Sequence, residues 1–173
     1  MEKIELNINN LDIVPEEYQE NVRKVLDKII SNSIDAKLLA HPENPVTSLQ
    51  SHLDLYGGNA ENVMKCLCFV SNSKPLIVVA SGEIKIDMKK LTSVSGMKDI
   101  RMANLDELKS LFGRNPGGVD PLTISENIPA YIDTKFLDKE FVVGSGGCSI
   151  VGLKLCPKEI LKAREFVVVD LAK

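Results

Sequence analysis

Two continuous apolar runs in the middle of the chain, Cys66-Leu67-Cys68-Phe69-Val70 and Leu76-Ile77-Val78-Val79-Ala80, constrain the fold more than any other feature. Continuous rather than alternating apolarity predicts strands buried on both faces. Asn72-Ser73-Lys74-Pro75 between the runs carries turn chemistry and predicts that the two strands are neighbours. Helices and further strands must therefore cover this pair.

The flanking sequence supplies them. Tyr18, Val22, Val25, Leu26, Ile29 and Ile30 share one helical face, with Pro15 suited to the first helical position and Glu16 and Glu17 at the positive dipole end. Ser31-Asn32-Ser33 stops that helix, and a strand over 37–40 leads into the turn-forming His41-Pro42-Glu43-Asn44-Pro45. Thr47 and Gln50 have capping-box spacing for a second helix carrying Leu49, Leu53 and Tyr56, ended by Gly57-Gly58. Asp87 caps a helix with Met88, Leu91 and Val94, and Asn104 with Glu107 caps another that ends at Phe112-Gly113. Strands are predicted near 100–102, 130–132 and 140–143, and Ser145-Gly146-Gly147 should turn the chain into one through Ser149-Ile150-Val151. Pro157 opens a last helix with Ile160 and Leu161 inward, and residues 166–169 close the fold as a strand.

Strands and helices alternate without regular βαβ order, which predicts a mixed α/β fold, largely antiparallel, with helices outside the sheet. No repeat, low-complexity tract or linker divides the 173 residues, so the expectation is one domain over 1–173, with 1–21 an N-terminal extension leading into the first helix. The 44% apolar fraction excludes a disordered chain, and 21 basic against 24 acidic residues exclude the broad positive field of a dedicated nucleic-acid binder. Any RNA must be held by a local patch. The N-terminus lacks the apolar region of a secretory signal, and no apolar run approaches the roughly 20 residues that span a bilayer, so a soluble cytoplasmic protein without a membrane partner is expected.

The equipment for common catalysis is sparse. None of Cys66, Cys68, Cys148 and Cys156 forms a C-x-x-C pair, so structural zinc and thioredoxin-like centres drop out and buried, reduced thiols are expected. His41 and His52 are the only imidazoles, and a turn and an amphipathic helix predict surface or boundary positions for them. There is no phosphate-binding G-x-x-x-x-G-K-[ST] loop, HExxH helix or EF-hand loop. The unusual feature is the loop Gly113-Arg114-Asn115-Pro116-Gly117-Gly118-Val119-Asp120-Pro121. Its paired glycines can bring two backbone N–H groups to one point and stabilise an oxyanion, while Pro121 stiffens the exit. Lys65, opening the first apolar strand, is placed to reach across a cleft toward a phosphate or a carbonyl oxygen.

The order of Val63-Met64-Lys65-Cys66-Leu67, Leu76-Ile77-Val78-Val79-Ala80, Ile86-Asp87-Met88-Lys89-Lys90-Leu91, Gly117-Gly118-Val119-Asp120-Pro121-Leu122, Ile132-Asp133 and Val143-Gly144-Ser145-Gly146-Gly147 resembles the YbaK family, from about Val22 to Leu171. These are free-standing aminoacyl-tRNA deacylases related to the editing insertion domain of prolyl-tRNA synthetase. The resemblance implies a barrel-like mixed sheet flanked by helices. It also implies trans-editing hydrolysis of the ester of mischarged tRNA, with Cys-, Ala- or Ser-tRNA(Pro) as substrates, and no metal or organic cofactor. Lys65 falls on the family's functional lysine, which holds the terminal adenosine or the ester, and Gly117 on the first glycine of the G-x-x-x-P loop that positions the ester carbonyl. Gly118 joins these as catalytic, and Val119, Pro121 and Ser145 as substrate-binding residues. Asp133 either orients a substrate amine or hydroxyl or is a strand-end carboxylate in a turn. Attack by water, or by the substrate's own hydroxyl or thiol, would need no imidazole base.

Aminoacyl-tRNA is the implied partner, with prolyl-tRNA synthetase beside it and no DNA. Lys85, Lys89, Lys90, Lys98, Arg101, Lys109 and Arg114 are candidates for phosphate contacts. Two departures from the family pattern bear on the amino acid removed: an acidic residue is replaced by Gly152 and an aromatic one around Ala40. They leave room for an alternative, a non-catalytic aminoacyl-tRNA or synthetase-binding module of the same fold. A general small-molecule hydrolase acting on simple esters is the third reading.

Overall fold

The computed structural model describes residues Met1–Lys173. The two apolar runs form β3 (Met64–Ser71) and β4 (Lys74–Ser81), paired antiparallel from Met64↔Ser81 to Ser71↔Lys74. Their two-residue connection, Asn72-Ser73, has φ of 46° and 65°, the left-handed pair that matches the twist of a tight hairpin. Leu76, Ile77, Val78, Val79 and Ala80 are all fully buried, so β4 is covered on both faces as continuous apolarity predicts.

Around this hairpin lie β5 (Arg101–Met102), antiparallel to β3, and β6 (Ala130–Asp133), parallel to β4. Adding β9 (Val167–Val169), parallel to β6, gives a five-stranded sheet in the order β5-β3-β4-β6-β9. A second, antiparallel sheet has the order β1-β2-β8-β7, from β1 (Ile4–Glu5), β2 (Ala36–Ala40), β8 (Val151–Leu155) and β7 (Val142–Cys148). A parallel bridge between Val63 and Val143 joins the two sheets, which do not close into a barrel. The largest core cluster draws Leu38, Val142, Val151 and Leu153 from one sheet and Met64, Val79 and Ile132 from the other.

Helix α1 (Glu16–Ser31) covers the second sheet with Val22, Val25 and Leu26. Burying a side chain of that size contributes about 1.5–3 kcal/mol, so a carboxylate at Val25 would unseat the helix. Ile30, predicted inward, is 62% exposed, because it lies beyond the stripe that reaches the sheet. Residues 1–21 supply β1, the buried Leu6, Leu11 and Val14, and the start of α1.

Helix α2 (Leu49–Tyr56) is capped by Ser48 and Ser51 rather than Thr47 and Gln50. The one-residue shift turns His52 and Leu55 inward and leaves Leu49 exposed. The caps of α3 (Met88–Ser95) by Asp87 and of α4 (Leu105–Phe112) by Asn104 and Glu107 form as the sequence predicts, with Gly113 in the left-handed conformation after α4. Ser145-Gly146-Gly147 is not a turn but part of β7, at an irregularity between Ser145 and Cys148; the chain reverses at Ser149-Ile150. The Pro157–Lys162 segment is 3₁₀-helical, and its threefold repeat turns Ile160 inward while Leu161 stays 40% exposed. Cys156 is exposed, against the expectation of buried thiols, because it precedes that helix rather than lying within β8.

Candidate active site

A cavity of about 530 Å³ opens where β3, β7, β8, α2 and the glycine loop meet. Lys65, Gly117, Val119 and Ser145 line it, from three stretches of sequence as far as 80 residues apart. No carboxylate does. A wider depression of about 900 Å³ lies along β9, but its arginine, Arg164, is spent on the carbonyls of Ile124, Ser125, Glu126 and Ile128.

Strand β3 delivers Lys65 opposite Ala80. Its ammonium donates to the carbonyl oxygens of Ile84 and Gly82, the latter at 3.4 Å. An ammonium has three donors, so one N–H remains for a ligand. Burial lowers the lysine's pKa from its ordinary value, and the nearby Glu83 carboxylate opposes that shift.

The glycine loop is fixed at both ends. Buried Arg114 pairs with fully buried Asp120 at 3.2 Å, and Asp120 also accepts from the backbone N–H groups of Leu122 and Thr123 and from the Thr123 hydroxyl. Arg114 is therefore a structural cation and not a free phosphate contact. At Gly117, φ is +77°, and a Cβ would lie 2.8 Å from the Val46 carbonyl oxygen and 3.1 Å from the Ser149 Cβ, so no other residue fits without displacement. Gly118 departs from expectation: it does not line the cavity, and its N–H donates to the Asn115 carbonyl at 2.9 Å, closing the turn. The N–H groups of the cavity-lining Gly117 and Val119 make no hydrogen bond within the protein. Of the three successive amides, those of 117 and 119 are thus left free to donate to a ligand, because the turn consumes the one between them.

Pro121 lies beyond the cavity, at the loop exit. Asp133 does too: it is fully buried, and its oxygens accept from the N–H groups of Lys135 and Leu171, so it is a strand-end cap and has no free face for a substrate amine. Ser145 accepts from the Gly147 N–H and keeps its own proton free to donate. Among the candidate phosphate contacts, Lys90 pairs with Asp170 and Arg101 with Glu107; Lys85, Lys89, Lys98 and Lys109 carry no ion pair.

Three residues not singled out as site residues also line the cavity: His41, His52 and Tyr56. Both imidazoles are buried, at 2% and 6% exposure, deeper than the surface or boundary positions that the sequence predicts. The His41 turn is drawn in by the hydrogen bond from its N–H to the Ile150 carbonyl, and α2 packs His52 on Tyr56 with ring centroids 4.9 Å apart. The i, i+4 spacing of His52 and Tyr56 on one short helix was the available signal. Burial pushes the His52 pKa down to about 4 and holds His41 below its ordinary value, so both rings are neutral near pH 7. Gly152 stands against the Tyr56 hydroxyl: a Cβ there would lie 2.0 Å from it. The phenol occupies the space that a side chain at 152 would need. Cys66 and Cys148 also line the cavity, and burial raises both thiols, Cys148 to about 11, so neither offers a thiolate.

Residues 43–160 match the profile of the aminoacyl-tRNA editing domain. The chain belongs to that family. Its enzyme class is accordingly a hydrolase of the aminoacyl-tRNA ester bond. The chain is 28% identical over 115 residues to the Enterococcus faecalis protein named "Putative Cys-tRNA(Pro)/Cys-tRNA(Cys) deacylase EbsC", covering 66% of this chain and 70% of that one. It is 31% identical over 101 residues to the proline–tRNA ligase of Staphylococcus aureus strain Newman, a match that spans 58% of this chain and 18% of the ligase. A crystal structure described as a "putative trans-editing enzyme for prolyl tRNA synthetase" superposes with a TM-score of 0.77 at 25% identity, over 88% of this chain and 97% of the other. That of a hypothetical protein does so at 0.79 and 26%, over 87% and 99%.

Proposed function

We propose that this editing-domain protein acts in trans on mischarged tRNA(Pro), cleaving the ester that joins cysteine, alanine or serine to the terminal adenosine. The observation that carries the reading is the convergence of Lys65 with the unpaired N–H groups of Gly117 and Val119 in one cavity that offers no thiolate. An aminoacyl ester is already activated, so orientation and charge stabilisation supply much of the acceleration. Lys65 holds the ribose or ester oxygens with its remaining N–H. The two amides receive the carbonyl oxygen as it gains charge. Water, or the substrate's own side-chain hydroxyl or thiol, adds to the carbonyl carbon. The carbon–oxygen bond to the ribose then breaks, and the ribose oxygen leaves with a proton.

Of the candidate phosphate contacts, Lys85, Lys89, Lys98 and Lys109 are left to meet tRNA phosphates. A net charge of −3 suits brief capture of a charged 3′ end beside a prolyl-tRNA synthetase. The test is a panel of Cys-, Ala- and Ser-esterified tRNA(Pro). Release above buffer is expected with the native chain. Lys65→Ala should lower it about 100-fold or more with an unchanged circular dichroism spectrum. Tight binding without release would instead mark a non-catalytic module, and turnover of simple esters without tRNA a general esterase.

A further inference from the structure

Two polar atoms of cavity-lining residues are buried without any partner: His41 Nε2 and the Tyr56 hydroxyl. Their hydrogen-bonding character follows from the neighbours. His41 Nδ1 lies 2.8 Å from the Asn44 carbonyl oxygen, which only accepts, so the ring proton of the neutral imidazole sits on Nδ1 and donates there. Nε2 therefore presents a lone pair and requires a donor. Tyr56 has one donor and an acceptor in its hydroxyl, and burial raises its pKa, which keeps that proton in place. The two rings meet edge to face with centroids 5.6 Å apart, and His52 backs Tyr56 from a second direction. Lys3 fixes α2 further by donating to the Leu55 carbonyl, with its ammonium 5.4 Å from the centre of the Tyr56 ring.

A buried polar group left unpaired carries its full desolvation cost. A ligand that satisfies both atoms recovers that cost, and one that satisfies neither does not. The complement to one lone pair and one phenolic hydroxyl is a small group that both donates and accepts. With no carboxylate in the lining, nothing there favours a cationic side chain.

We propose that His41 Nε2 and the Tyr56 hydroxyl read the aminoacyl side chain, and that the pair favours a short side chain bearing a hydroxyl, serine before alanine. The substrate hydroxyl donates to His41 Nε2 and accepts from Tyr56. Alanine leaves both atoms unpaired, and the cysteine thiol, a weak donor and acceptor, ranks between. This assignment rests on the deacylase reading and specifies the substrate side chain at that site.

The experiment measures kcat/KM for Ser-, Cys- and Ala-esterified tRNA(Pro) with the native chain and with Tyr56→Phe, which removes one hydroxyl and keeps the ring packing. In parallel, calorimetry compares non-hydrolysable 3′-seryl-amide and 3′-alanyl-amide adenosine on both proteins. The native chain should release serine about 10-fold or more faster than alanine, and Tyr56→Phe should reduce that ratio about 10-fold. The seryl amide should bind more tightly than the alanyl amide and lose that advantage in the variant. Equal rates for serine and alanine, or an equal loss of both in Tyr56→Phe, would overturn the proposal, the latter pointing to a packing role. Release of no amino acid together with a Tyr56-dependent preference for the seryl amide would overturn the deacylase reading and uphold the side-chain assignment. Release of none with no such preference overturns both. Because His41→Phe also removes the bond to Asn44, its result counts only if its thermal midpoint matches the native one; a fall in the seryl-to-alanyl ratio then supports the pair.

Discussion

The cavity has two kinds of wall. The Lys65 and Gly117 group consists of backbone amides and a charged side chain, anchored by a buried ion pair between Arg114 and Asp120. The His41, His52 and Tyr56 group consists of neutral rings anchored by packing, with two unpaired polar atoms. The first group can stabilise charge at a carbonyl common to every aminoacyl ester; the second can only distinguish side chains. In the proposed reaction, general chemistry and selectivity divide between a wall made largely of backbone and one made of side chains.

Breaking the anchor of the first wall should have the largest effect on stability. Arg114→Met leaves Asp120 charged and buried beside the glycine loop, and it should cost about 3–5 kcal/mol in urea unfolding. Adding Asp120→Asn should restore part of that loss; a single variant as stable as the native chain would refute the anchoring role.

The second wall responds to acid instead. Unfolded His52 titrates near its ordinary 6.5 and the folded ring near about 4, so the unfolded chain binds more protons between those values. Stability is complete above pH 6.5 and falls as the pH approaches 4, by about 2 kcal/mol at pH 5 and about 3 kcal/mol in all. His41, shifted in the same direction, adds to the same slope. Denaturation midpoints at pH 7.5 and pH 5 should differ for the native chain, and the difference should shrink in His52→Phe, with His41 supplying part of what remains. Equal midpoints in the native chain would show that its rings titrate as if exposed.

The smallest change sharpens the contrast between the walls. Gly117→Ala places a methyl 2.8 Å from the Val46 carbonyl at a φ of +77°, which should cost about 1–2 kcal/mol and displace the adjacent amides. Deacylation should fall about 10-fold or more for all three esters alike, since the affected amides serve the carbonyl. A change in the ratio between esters would show that the glycine wall reads side chains as well.

Much of this was legible along the chain because its causes are local. Helix caps at Asp87 and Asn104 and the hairpin between 71 and 74 depend on residues a few positions apart. Motif order placed Lys65 and Gly117 in one family pattern, and both line the cavity. The residues that the structure places otherwise depend on distant neighbours or on a backbone conformation that no residue pattern fixes. Asp133 is held by Leu171, 38 residues away, and Gly118 gives up its amide to close a turn whose type no residue signal fixed. Ser145 and Gly146 look like a turn but belong to a strand, because β8 pairs with it.

The histidines show the same division. Composition alone established that only two imidazoles exist and that no standard metal or triad motif uses them. The family resemblance then implied positioning of an activated ester, a chemistry that needs no imidazole base. Tertiary structure alone decided that both rings are buried, neutral and gathered against Tyr56, with Gly152 leaving room for the phenol. A ring's protonation and its unpaired lone pair depend on desolvation and on the atoms within a few ångströms, and those atoms come from β8, α2 and the 41–44 turn. The sequence therefore determined which groups were available for chemistry, and the packing of those three segments decided which of them face the cavity and in what charge state.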